Sequence, residues 1–258
     1  MKIVVAYQWA PDPQEATVGE SGTVDFSRAK PAMSDYDATA IEVGRAVASA
    51  AGASLVGVTV GGASVAQPVA TKAALSRGLD EVVVVSDPAF ESAGTLPVAT
   101  VLAQVVQGLG DVALVIAGDT SIDNGARLLP PVLGALLGWP VLTDVQTLQF
   151  DGTAATAART LPEGVQTLSL TGPAVIAVSA DSAKPKAPGM KDVLAAGKKP
   201  VTVKSAADVG GAPAPEGVVR STAKPSGPAR KGIKIDTTDP AAAAAELLSA
   251  LRAAGALS

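Results

Sequence analysis

At 258 residues, with 48% apolar and 17% charged residues, the chain is long enough for one sizeable core and too apolar to be disordered throughout. Its 20 basic and 24 acidic residues give a formal charge of −4, and with 3% aromatics this excludes a surface given over to nucleic acid. Neither His nor Cys occurs, which excludes thiol and Ser-His-Asp nucleophiles, the usual zinc sites and any disulfide.

The chain opens on "KIVVAY" (Lys2–Tyr7), a continuous apolar run followed by a turn. Such runs suit parallel strands covered on both faces. This one is too short for a signal peptide, and no run reaches the ~20 residues of a membrane span, so a soluble cytoplasmic protein is expected. "SDYDATAIEVGRAVASAAG" follows, with polar caps at Ser34, Asp35 and Asp37 and helical apolar spacing as far as Gly52. "SLVGVTVG" (Ser54–Gly61) is a second strand, and "SVAQPVATKAALSRG" a helix with Pro68 in its first turn, where a missing N–H does no harm. "EVVVVS" (Glu81–Ser86), "GTLPVATVLAQVVQGLG", "ALVIAGD" (Ala113–Asp119) and "LLPPVLGALLG" continue the alternation. Strand–helix–strand order repeated in this way predicts a doubly wound, mostly parallel α/β sheet.

The middle differs. "VLTDVQTLQFDGTAATAARTLPEGVQTLSLTG" places Asp151-Gly152 and then "PEG" (Pro162–Gly164) between β-rich runs, which predicts an antiparallel hairpin at one edge. "PAVIAVS" (Pro173–Ser179) returns to the continuous pattern. "KPKAPGMKDVL" (Lys184–Leu194) shows no periodicity and is expected as a loop, with Met190 set among lysines. After Lys204 the composition turns to Gly, Ala and Pro, an extended arm ending in the helix "TTDPAAAAAELLSALRAAG". Thr238 or Asp239 caps that helix, Pro240 opens it, Gly255 ends it, and Leu247, Leu248 and Leu251 form an apolar stripe. The stripe needs cover, from its own domain or from a second chain. The division is residues 1–204 as a nucleotide-binding α/β domain and 205–258 as the arm and helix.

Neither a Walker loop nor G-x-G-x-x-G occurs. Ligands in open α/β sheets nevertheless bind beyond the carboxyl ends of the strands, and two ends suit one. At "VTVGGAS", Gly61 and Gly62 allow backbone amides to approach a ligand. At "AGDTSIDNGARLLPP", a polar loop precedes the helix from Leu128, whose free N–H groups and Arg127 offer an anion site. Ordinary βα loops with good caps would look the same, with Asp119 and Asp123 as the caps.

The ordered set "KIVVAYQWAPD", "MSDYDATAIEVG", "ALSRGLDEVVVV", "LLGWPVLTDVQTL", "GPAVIAVSAD" and "LAAGKKPV" resembles the β subunit of electron transfer flavoproteins over nearly the whole chain. The resemblance implies an αβ heterodimer that carries electrons from flavin dehydrogenases to a quinone reductase or another acceptor. Its FAD would be held mainly by the α subunit, with the β subunit closing over it and holding a structural AMP. The implied AMP positions are Ala6, Ser34, Asp35, Tyr36, Asp37 and Val60, and the loop of Ser121, Ile122, Asp123, Asn124, Gly125, Ala126 and Arg127. This chain departs from the pattern after Asp123: Asn124 and Gly125 replace further acids, and Leu128-Leu129-Pro130 stands where the family has Gln-Thr-Gly or Gln-Val-Gly. A second, bifurcating flavin therefore fits less well than AMP; either Arg127 supplies the phosphate contact or the site is empty.

The resemblance further implies that Arg159 and Thr160 lie at the α-subunit interface near the flavin, with Thr160 replacing the family's carboxylate. Met190 falls where the family's recognition loop presents a leucine to the dehydrogenase, flanked here by Lys184, Lys186 and Lys191. Lys198, Lys199 and Lys204 extend that basic segment, which would steer an acidic partner. Ala183-Lys184-Pro185-Lys186 replaces the family's Asn-Glu-Pro-Arg, so the dehydrogenase served is expected to differ from a standard acyl-CoA one. The other reading is a stand-alone nucleotide-binding or sensing module of similar fold. An enzyme with its own substrate turnover is the weakest reading, since no His, Cys or paired-carboxylate constellation appears.

Overall fold

A computed structural model describes residues 1–123, 125–211, 227 and 231–257. Its elements in chain order are β1 (Lys2–Ala6), β2 (Trp9–Pro11), β3 (Thr17–Val18), β4 (Val24–Asp25), β5 (Pro31–Met33), α1 (Asp35–Ala51), β6 (Ser54–Gly61), α2 (Pro68–Leu75), β7 (Glu81–Ser86), α3 (Thr95–Leu109), β8 (Val112–Gly118), α4 (Leu129–Leu137), β9 (Val141–Phe150), β10 (Ala154–Leu161), β11 (Gly164–Thr171), β12 (Ala174–Val178), α5 (Met190–Ala196), β13 (Val201–Lys204) and α6 (Pro240–Ala253).

Nine strands form one sheet in the order β11-β10-β9-β12-β8-β1-β6-β7-β13. Every neighbouring pair from β9 to β13 runs parallel, and β10 and β11 add the antiparallel hairpin at one edge. The continuous apolar runs follow from burial on both faces. Ile3 and Val5 of β1 pack with Ile41 and Val47 of α1 and Leu75 of α2, whereas Val4 and Ala6 pack with Leu102 and Val105 of α3 and Leu133 of α4. Alternate residues of each strand thus serve opposite layers, and the α/β doubly wound class holds.

Helix boundaries follow local chemistry. Ser34 caps α1 by accepting from the Tyr36 N–H, and Gly52 closes it in the left-handed region at φ 61°. Pro68 opens α2, and Gly138 at φ 69° ends α4. Close packing rather than turn geometry explains Gly118 at the end of β8. A Cβ there would sit 2.8 Å from the Cβ of Tyr36, so only glycine lets the start of α1 lie against the strand.

Three expectations change. The lysine-rich segment expected as a loop contains α5, and β13 pairs in parallel with β7. The segment after β1 carries two small antiparallel pairs, β2 with β5 and β3 with β4. The expected arm does not begin as an extended strand: Ala206 and Val209 are buried with the α3 layer. Most of that arm (212–226 and 228–230), like Asn124, lies outside the described residues.

The chain forms two compact units, Met1–Ser221 and Thr222–Ser258. The second contains α6, capped by Asp239, which accepts from the Ala241 N–H at 2.9 Å, with Pro240 at its first position. Leu247 and Leu248 on this helix are exposed.

Candidate functional site

Beyond the carboxyl ends of β1, β6 and β8 lies a cavity of about 530 Å³, within the range of small-molecule sites. It sits where the winding reverses: the chain moves from β1 outward through β6 and β7, then crosses back to β8 on the other side of β1. Ala6, Val60, Phe90, Val98 and Leu102 give it an apolar lining. Of the residues expected here, Ala6, Asp37, Val60, Ser121, Asp123, Ala126 and Arg127 line it. Ser34, Asp35, Tyr36, Ile122 and Gly125 stand beside it without lining it, and Ser34 serves as the α1 cap. Gln8, Trp9, Phe90, Glu91 and Leu102 were not anticipated; only the position of Gln8 and Trp9, directly after the first strand, carried a signal.

The polar lining is mainly acidic. Asp37, at 8% exposure, accepts a hydrogen bond from the backbone N–H of Gln8 at 2.9 Å, and the Gln8 side chain donates to Asp123 at 2.9 Å. Asp37 therefore ties the end of β1 to the start of α1 rather than acting as a simple cap. Burial raises its pKa to about 7; the Gln8 N–H opposes this and the nearby Asp123 charge adds to it. Asp119, at 9% exposure, is not a helix cap either. One oxygen accepts from Arg127 at 2.5 Å, and the other, Oδ1, is buried without a partner.

Arg127 also donates to Asp144 at 2.6 Å, on a backbone in the left-handed region at φ 54°. Asp144 is itself left-handed at φ 58°, where β9 slips register against both β10 and β12. An irregularity of this kind re-aims a side chain, and here it aims a carboxylate at Arg127. The guanidinium expected to hold a phosphate is held between two carboxylates, which raise its pKa further.

The expected helix-start anion site is also thinner than the sequence suggested. Of the first three residues of α4, Leu129, Pro130 and Pro131, only Leu129 has an N–H. The space above Gly62, read as room for a ligand, is taken by the Glu91 carboxylate. The apolar walls and the acceptors suit a nucleoside; for a phosphate, Arg127 is the one cationic side chain of the lining among the described residues. The family model for the electron transfer flavoprotein domain matches residues 21–209, most of the cavity's lining included. The chain belongs to the electron transfer flavoprotein family. Members of this family bind flavin and carry electrons, and the domain is shared by the α and β subunits.

Two further surfaces of this electron transfer flavoprotein domain carry residues singled out in the sequence. On α5, Met190 is the first helical residue and is 81% exposed; Val193 and Leu194, at 48% and 69%, share its face at i+3 and i+4. The Asp192 carboxylate accepts from the Gly189 N–H at 2.8 Å, which starts the helix and uses the one acid of the segment as a cap. Lys184, Lys186, Lys191 and Lys198 are exposed. Lys199 turns inward, where its Nζ donates to the carbonyls of Leu79 at 2.6 Å and Leu75 at 3.3 Å. On β10, away from the cavity, Arg159 donates to Gln166 at 2.9 Å and Thr160 to Gln146 at 2.6 Å. Among the described residues no helix is long and apolar enough to cross a membrane, and no acidic cluster is arranged to hold a metal ion.

Proposed function

We propose that this chain is the β subunit of a heterodimeric electron transfer flavoprotein. It closes over an FAD held mainly by an α subunit and, in the cytoplasm, carries electrons from a flavin dehydrogenase to a quinone reductase or another acceptor, with no substrate turnover of its own. The observation that carries this reading is the α5 face. Three exposed apolar side chains, Met190, Val193 and Leu194, stand on a lysine-rich segment of a chain that is acidic overall. Burying one such side chain is worth about 1.5–3 kcal/mol, against about 8 for a micromolar complex. The full face of three therefore supports a contact that forms and releases in each cycle, steered by the lysines toward an acidic donor.

In this reading the residues after 204 supply the docking helix, whose exposed leucines Leu247 and Leu248 are covered by the α subunit. Arg159 and Thr160 lie at the interface near the flavin. The cavity holds the adenosine part of an AMP-class ligand between the apolar walls and the carboxylates of Asp37, Asp119 and Asp123. Producing the chain alone and together with a Rossmann-type flavin chain tests the reading. A colourless product alone and a yellow 1:1 heterodimer together are expected; a stable monomer that takes no partner would defeat it.

The second reading is a stand-alone nucleotide-binding module, which would use the same cavity lining, from Ala6 and Asp37 to Arg127. That module would respond to a nucleotide without a flavin partner, which the same experiment separates.

A further inference from the structure

The cavity is unevenly equipped for an AMP-class ligand. Its charged lining consists of Asp37, Glu91, Asp119 and Asp123 against Arg127 alone among the described residues. Arg127 is not an idle cation waiting for an anion, since Asp119 and Asp144 hold it at 2.5 and 2.6 Å. A phosphate would have to displace a carboxylate from it and leave that carboxylate's charge behind. The start of α4 cannot substitute, because Pro130 and Pro131 remove two of the N–H groups that an anion would use. The start of α3 has Pro97 at its third position and the Glu91 carboxylate nearby, over Gly62. The other half of the inventory is a surplus of acceptors. Asp119 Oδ1 is buried without a donor, and Asp37 Oδ2 accepts from the Gln8 N–H. A ribose hydroxyl or an exocyclic amine brings the donors that such oxygens lack, whereas a phosphate dianion brings only more acceptors.

From this we infer that the cavity selects the neutral nucleoside portion of its ligand and gains nothing from phosphate, so that adenosine binds at least as tightly as AMP and each further phosphate weakens binding. The inference rests on the proposed reading of the cavity as an adenine-nucleotide site. It differs from that reading in making Arg127 a clasp between two carboxylates rather than a phosphate ligand. Two backbones in the left-handed region, those of Arg127 and Asp144, bring the two side chains together.

The test is calorimetric titration of the purified protein, as the full chain and with its flavin partner, using adenosine, AMP and ATP after removal of any bound ligand. Adenosine is expected to bind as tightly as AMP or more tightly, and ATP about tenfold or more weaker than adenosine, since phosphates meet an acidic lining. AMP affinity should hold or rise with ionic strength, because screening weakens that repulsion, whereas a phosphate gripped by a cation would lose affinity with salt. Asp144→Asn, a residue that tolerates the left-handed backbone, releases one of the two carboxylates on Arg127. It should shift the ratio of AMP to adenosine affinity toward AMP by about threefold or more. Tenfold tighter binding of AMP than adenosine by the unaltered protein would overturn the inference, as would salt-sensitive AMP binding, no binding of either ligand, or an affinity ratio that D144N leaves unmoved. A yellow heterodimer that prefers AMP would retain the β-subunit reading and remove only this one.

Discussion

Replacing Asp37 with Asn removes a buried acid and keeps an oxygen that can still accept from the Gln8 N–H, so the substitution isolates the charge. In the fold, burial first of all raises the carboxyl to about pH 7, against about 3.9 in an unfolded chain. Between those values the folded chain holds a proton that the unfolded chain has released. Stability therefore falls as pH rises through this window, and the loss is complete above about pH 7. A displacement of about 3 units at 1.36 kcal/mol each amounts to about 4 kcal/mol. The Asn variant carries no such dependence. Urea unfolding of both full-length proteins from pH 4.5 to 8.5 should show near-equal stability at the acid end. The variant should gain about 1.4 kcal/mol per pH unit over the unaltered chain through the middle of the window. A stability difference that stays flat with pH would show that Asp37 is ionised in the fold throughout and that its burial has been misjudged.

Gly118→Ala forces a Cβ to within 2.8 Å of Tyr36 and should destabilise the fold by about 1–3 kcal/mol in the same unfolding assay, while loosening ligand binding through displacement of α1. Lys199→Met deletes the donor to the Leu75 and Leu79 carbonyls, and a loss of about 1–3 kcal/mol is expected in thermal or urea unfolding. Met190→Ala, at a position 81% exposed, should leave stability within about 0.5 kcal/mol. Under the β-subunit reading it slows reduction by the dehydrogenase in stopped-flow without changing bound flavin. Met190→Ala combined with Leu194→Ala should slow it further than either alone, because the two side chains share one face of α5.

What the sequence made legible was whatever burial imposes on a continuous stretch of chain. β1, β6, β7, β8 and β12 were recognisable because both faces of each are covered, so apolar residues run on along each strand without alternation. α5 escaped because only Ala196 of its seven residues is buried, and a helix with one inward residue has no period to detect. β13 escaped for a related reason: Val201 and Val203 are exposed at the sheet edge, beside lysines and a proline. The cavity's place was legible from strand ends and glycines, but its electrostatics were not. Asp37 meets Gln8 across 29 positions, and Arg127 meets Asp144 across 17 positions through an irregularity in β9. Nothing local marks such pairs. Arg127 looked like an anion ligand because its two carboxylate partners are distant from one another in the chain and become neighbours only when β8 and β9 enter one sheet.

The order of the strands separates the proposed contacts. β10, with Arg159 and Thr160, is second from one edge, and α5 leads into β13 at the other. Seven strand spacings lie between them, about 33 Å at 4.7–4.9 Å each. No single compact contact spans both, so a donor anchored on Met190, Val193 and Leu194 is not thereby placed over the hairpin. Groups this far apart without shared partners act on independent steps, their energies adding rather than coupling. Under the β-subunit reading, loss of the α5 face should therefore be felt in encounter and loss of Arg159 in the flavin's surroundings. Between them, Gln8 just after β1 donates to Asp123, and Arg127 joins Asp119, just after β8, to Asp144 of β9.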